Sequence, residues 1–179
     1  MTAVDFCILD WVQAHLRCGF LDTVMPWITA LGEYGALWIL LTVALLLRKD
    51  TWQLGVMMGI ALALDVLFCN VIIKPLAARP RPFALRPEIE LLIRAPRDFS
   101  FPSGHTAASF AGAGALLFSR RRGRWAALVL AVAIGLSRIY LYVHYPSDVL
   151  CGAALGLLCG FLGVYFARKW FPLCKNAKK

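Results

Sequence analysis

The stretch WQLGVMMGIALALDVLFCNVII, residues 52–73, decides the class of fold: 22 consecutive positions carry one charged side chain, Asp65. At about 1.5 Å of rise per residue, a helix of this length crosses the roughly 30 Å hydrocarbon core of a bilayer. Four more apolar blocks flank it. Asp22–Leu47 lies upstream; Ser103–Ser119, Trp125–Val143 and Ser147–Ala167 lie downstream, the first of these only just long enough. The whole chain agrees, since 60% of its 179 residues are hydrophobic against roughly 45–50% in a soluble domain. The expected fold is all-α: a polytopic membrane helical bundle of five to six spans, one domain over residues 1–179, with the bundle over 22–168.

Residues 1–20 read differently. Leu9, Val12, Leu16 and Phe20 recur at helical spacing among Asp5, Asp10, His15 and Arg17. That pattern suits an amphipathic helix lying on the membrane surface, or else a poor sixth span. The start lacks the basic residues and small-residue cleavage site of a signal peptide.

The net charge is +9, but the cations sit between apolar blocks. They serve as topology signals, and no nucleic-acid partner is expected. Arg48 and Lys49 join spans one and two; Arg120, Arg121, Arg122 and Arg124 join three and four; Arg168, Lys169, Lys175, Lys178 and Lys179 follow five. With five spans these clusters share one side, which the positive-inside rule makes cytoplasmic. The protein is then a multi-pass protein of the cell membrane with a cytoplasmic C-terminus. The loop Lys74–Pro102 and the turn around His144 face the extracytoplasmic side, although they too are basic.

The six cysteines form neither a metal pattern nor a redox pair. Cys69, Cys151 and Cys159 fall inside apolar blocks, where a thiol acts as a small hydrophobe. Cys7 and Cys18 are about 16 Å apart along a helix, too far to bridge. Gly152, Gly156 and Gly160, with Gly55 and Gly59, form small-residue stripes that let helices approach closely in lipid, a structural seam.

The chemistry lies in the outward segments. Lys74, Arg79 and Arg81-Pro82 make a basic loop suited either to lipid headgroups or to a bound phosphate. Phe101-Pro102-Ser103-Gly104-His105 opens the third span, where free backbone N–H groups and the dipole favour an anion. Ser137-Arg138, His144 and Asp148 bracket the turn between spans four and five, so a carboxylate can fix the imidazole's tautomer. Together these groups spell out phosphoryl transfer: cations around the equatorial oxygens, one neutral histidine to attack phosphorus, a second to protonate the leaving oxygen. No metal or other cofactor is called for. The site spans residues 74–148.

These motifs, Lys74 with Arg81-Pro82, then Pro102-Ser103-Gly104-His105, then Ser137-Arg138 with His144 and Asp148, resemble the three signatures of the type 2 phosphatidic acid phosphatase family. They stand in the family's order and spacing. The resemblance implies that Lys74, Arg81, Arg138, Ser103 and Gly104 bind the substrate phosphate. It implies that His105 is the general acid, His144 the nucleophile and Asp148 its orienting partner. It further implies a metal-independent membrane hydrolase acting on a lipid phosphate such as undecaprenyl pyrophosphate, phosphatidic acid or phosphatidylglycerol phosphate, through a phosphohistidine. The sequence departs from the family in having five clear spans where six are common. A vanadium-dependent haloperoxidase shares such a pocket but is soluble, which the apolar spans oppose. A lipid-phosphate binding or transport protein would be free to lose His105, His144 or Asp148, and this chain keeps all three. A small enzyme with an outward site fits undecaprenyl pyrophosphate recycling. Asp65 lies about 14 Å deeper than Lys74 and is either functional or a packing residue.

Overall fold

The computed structural model describes residues 2–171; Lys175, Lys178 and Lys179 of the C-terminal basic cluster lie outside them. Among the described residues the chain is helical without strands. The helices are α1 Thr2–His15, α2 Gly19–Ala30, α3 Ala36–Leu46, α4 Trp52–Asp65, α5 Lys74–Ala77, α6 Pro82–Leu85, α7 Gly104–Phe118, α8 Arg124–Tyr140 and α9 Pro146–Trp170. Among the described residues, three helical stretches are long and apolar enough to cross a membrane: Gly19–Leu46, Trp52–Leu85 and Pro146–Trp170. α7 and α8, with 15 and 17 residues, are shorter than the spans read from sequence.

α7 is the axis of the bundle. It packs most extensively against α9, then α8 and α4, and its run from Ser109 to Leu116 is buried. The Ala- and Gly-rich composition explains this, because small side chains let three neighbours close on one helix. A Cβ added to Gly160 would stand 2.8 Å from Gly114 Cα on α7, and one added to Gly163 would meet Ala61 N of α4 at 2.8 Å. The Gly152-Gly156-Gly160 stripe is thus the α7–α9 seam, as its spacing predicts. α3 is tied to the same axis by Trp38, whose indole N–H donates to Ser109 Oγ at 3.1 Å.

The first span departs from the sequence reading, because it is two helices. Between α2 and α3 a 3₁₀ turn, Glu33–Gly35, holds Tyr34 at φ 49° and Gly35 at φ 66°. Gly32 stands just before it, where a Cβ would lie 2.9 Å from Ile134 Cγ2 and 3.0 Å from His105 Cδ2. The glycines therefore allow both the left-handed turn and the close approach to α7 and α8.

The second span also changes character. From Val66 to Ile73 the α-helix becomes a π-helix, which sequence periodicity does not reveal. At the N-terminus, α1 stops at His15. Leu9 and Val12 are buried against the turn that follows α8, whereas Leu16 and Phe20 are exposed. The buried stripe instead begins with Asp5, which docks against the start of α9.

Candidate active site

Chain reversals bring the predicted side chains to one end of the bundle. Lys74 follows the π segment, and Arg81 precedes Pro82, which sits at the first position of α6. Ser103 is the N-cap of α7, and Arg138 lies in the last turn of α8. His144 sits in the turn before Pro146, whose fixed φ starts α9. Asp148 lies in the first turn of α9. The backbone N–H of Ser103 donates to the Asp148 carbonyl at 3.2 Å, tying the two helix starts together.

Lys74, Arg81, Gly104, His105, Arg138 and His144 line one cavity of about 860 Å³. Asp148 and Ser103 are fully buried behind its wall. Ser103, expected at the phosphate, turns its hydroxyl inward to accept from Thr106 Oγ1 at 2.9 Å.

Asp148 Oδ2 lies 3.4 Å from His144 Nδ1 and also accepts the Tyr145 backbone N–H at 3.0 Å and the Ser100 hydroxyl. Its other oxygen pairs with Arg79. Arg79 in turn reaches Asp5 Oδ2 at 2.8 Å, so a chain of charge runs from α1 to the histidine. On the far side of the ring, Arg81 Nη1 stands 3.1 Å from His144 Nε2. A guanidinium can only donate, so Nε2 is the unprotonated nitrogen and Nδ1–H faces Asp148. Burial first, then the charges of Arg81, Arg138 and Lys74, hold the His144 pKa well below its ordinary value. Both the Arg81 contact and the burial favour the uncharged ring.

The cations are partnered within the chain. Lys74 Nζ donates to Asp98 Oδ2 at 2.6 Å, and Arg81 Nη2 to Asp98 Oδ1 at 2.7 Å. Burial works against ionisation of Asp98, but these two cations outweigh it and keep its pKa below the usual carboxylate range. Arg138 Nη1 donates to Thr29 Oγ1 at 2.6 Å, while its Nε is buried without an acceptor among the described residues. An unmet buried donor costs about 1–3 kcal/mol, which an incoming oxyanion would recover. His105 Nε2 lies 3.2 Å from Glu33 Oε2.

Asp98, Glu33, Ser100 and Thr29 are additions to the predicted set, and Arg79, expected only as part of the basic loop, is the partner of Asp148. Glu33 had a signal: an acid flanked by Gly32 and Gly35 inside an apolar block. Asp98 had none, since nothing in its neighbourhood pairs it with Lys74, 24 residues away.

A tetrahedral oxyanion bound by these cations would sit against a neutral, oriented imidazole. The chain belongs to the PAP2 superfamily, whose model matches residues 50–172. It is 35% identical over 137 residues to an undecaprenyl-diphosphatase of Sulfolobus acidocaldarius, covering 75% of this chain and 66% of that protein, just under two thirds of its length. It is 36% identical over 167 residues to the decaprenylphosphoryl-5-phosphoribose phosphatase of Mycobacterium tuberculosis, covering 89% and 84%. The crystal structure of a transmembrane PAP2-type phosphatidylglycerolphosphate phosphatase from Bacillus subtilis superposes with a TM-score of 0.77 at 29% identity, covering 99% of this chain and 89% of that one.

Proposed function

We propose that this protein is an integral-membrane lipid phosphatase that works through a phosphohistidine at His144 and uses no metal. The observation that carries the reading is the placement of the His144 ring, held between Arg81 at Nε2 and Asp148 at Nδ1. Nε2 attacks phosphorus while Asp148 stabilises the positive charge that develops on the ring. Lys74, Arg81 and Arg138 spread over the equatorial oxygens, with Gly104 admitting the anion to the N-terminus of α7. His105, steadied by Glu33, gives its proton to the leaving oxygen and then takes one from the attacking water. Ser103 supports the helix start from behind the wall.

The proposed topology has five spans, with α7 and α8 as the two short ones. α7 needs little length because its neighbours screen it from lipid. α1 lies along the membrane surface outside the bundle, the cavity opens to the extracytoplasmic side, and the C-terminus is cytoplasmic. Residues 1–179 form one domain.

The substrate is a lipid phosphate of the kind that the relatives' names describe: undecaprenyl diphosphate, phosphatidylglycerol phosphate or a phosphorylated prenyl-linked sugar. Phosphate release by detergent-purified protein in EDTA tests the reading, with His144→Ala as control. Release from at least one lipid phosphate that is lost in the variant is the expected result. Folded protein that binds these lipids without releasing phosphate would make it a binding protein.

A further inference from the structure

Asp65 and Lys74 are nine residues apart, which at about 100° per residue puts them on opposite faces of an α-helix. Yet both line the cavity, and Asn70 lies between them on the same wall. The π segment from Val66 to Ile73 accounts for this. Its i→i+5 bonding turns the chain less per residue, so positions 65, 70 and 74 come into line. π segments are uncommon and concentrate at functional sites.

The two added residues extend the polar wall inward from the phosphate cradle. Asn70 Oδ1 lies 3.3 Å, and Lys74 Nζ 3.6 Å, from the point where a Cβ on Gly104 would stand. The amide therefore stands beside Gly104, at the start of α7 where the phosphate is proposed to bind. Asp65 sits farther along the same helix toward the membrane interior. It is 1% exposed, and its Oδ1 has no hydrogen-bond partner among the described residues. A carboxylate kept only for packing would be expected to bond a neighbouring helix. An ionisable side chain inside a membrane bundle marks a substrate or ion path by default.

We infer that Asp65 and Asn70 form a second subsite, which takes the hydroxylated linker joining the scissile phosphate to the hydrophobic part of the lipid. The inference rests on the lipid phosphatase reading and refines its substrate class. Both residues offer an acceptor oxygen and the Asn70 amide adds an N–H donor, so the matching ligand group is a hydroxyl, which can give one hydrogen bond and take another. A fully esterified diacylglycerol or a bare prenyl chain has no such donor beside its phosphate. A second phosphate would bring negative charge against a carboxylate. A glycerol or pentose linker supplies short donors at the right place, and the cavity of about 860 Å³ has room for one.

The test uses a matched pair of substrates: a 1-acylglycerol 3-phosphate with its free hydroxyl, and the 2-deoxy compound with the same acyl chain. The wild-type protein should favour the hydroxylated lipid in kcat/KM by on the order of tenfold, the size of one hydrogen bond to a charged group. Asp65→Leu and Asn70→Leu should bring that ratio toward one. Asp65→Asn, which keeps an acceptor oxygen, should retain much of it. The ratio does not depend on how much of each variant folds. A wild-type ratio near one, or a ratio unchanged in both leucine variants, overturns the subsite and leaves the phosphatase standing. Release from neither lipid, nor from any in the wider panel, removes the phosphatase reading and this one with it.

Discussion

Lys74 Nζ lies 2.6 Å from Asp98 Oδ2, and the other oxygen of that carboxylate holds Arg81 at 2.7 Å. Asp98 thus offers the two cations an anionic fork much like the two oxygens of a phosphate. Substrate must take both cations from it. Asp98→Asn weakens this internal competitor, because an amide carries no charge. The variant should therefore show a several-fold lower KM and tighter competitive inhibition by inorganic phosphate. A higher KM would mean instead that Asp98 holds the cations in their working positions.

The neutral state of His144 predicts a pH signature. Its pKa in the folded protein lies below the ordinary 6.5, so the nucleophile stays uncharged as the medium turns mildly acidic. The acid limb of kcat/KM should fall below pH 6.5. Stability moves the other way: between the folded pKa and 6.5 the unfolded chain binds more protons, so acidification destabilises the fold. The melting temperature should drop from pH 7.5 to pH 5.5, and His144→Gln should lose part of that drop.

Asp5 is far from the reacting atoms but joined to them through Arg79 and Asp148. Asp5 also accepts the backbone N–H of Ser147 at 3.0 Å. Asp5→Ala leaves that donor unmet and frees one arm of Arg79, at a stability cost of about 1–3 kcal/mol. The expected kinetic result is a lower kcat with KM nearly unchanged, since the anion cradle is untouched and the support behind His144 is loosened. Equal changes in both constants would argue against this link.

The α7–α9 seam admits no extra carbon. A Cβ on Gly156 would meet Phe110 Cβ at 2.8 Å and Ala111 N at 2.9 Å, backbone and stem atoms that cannot step aside. Gly156→Ala should destabilise by about 1–3 kcal/mol as an overpacked contact, read as a lower melting temperature in detergent. Gly19→Ala, where no atom lies within 4 Å, is the control and should leave the melting temperature close to that of wild type.

The apolar blocks and chain reversals were legible because hydropathy and helix-terminus residues are local signals. The cation and histidine positions were legible because their motifs are short. What stayed hidden depends on three-dimensional pairing. The partnership of Asp98 with Lys74 and Arg81 crosses a loop whose path the sequence leaves open. The conversion of α4 into a π-helix changes register without changing composition, so Asp65 read only as a carboxylate of uncertain purpose. The break at Gly32–Gly35 could have been suspected from its glycines and Glu33, but the hydropathy of the block concealed it. The end of α1 at His15 is hidden in the sequence because Leu16 and Phe20 keep the helical spacing after the chain has turned.

The backbone contact between α7 and α9 has a consequence for how this cavity can vary. His105 rides on one of these helices, while His144 and Asp148 sit at the head of the other, so the groups proposed to react belong to a single closely packed block. The opposite wall, with Glu33, Tyr34 and the loop carrying Asp98, is held by side chains and turns. The proposed chemistry is thus tied to the α7–α9 block, while the walls that a lipid would meet, this one and the one carrying Asp65 and Asn70, lie on other elements.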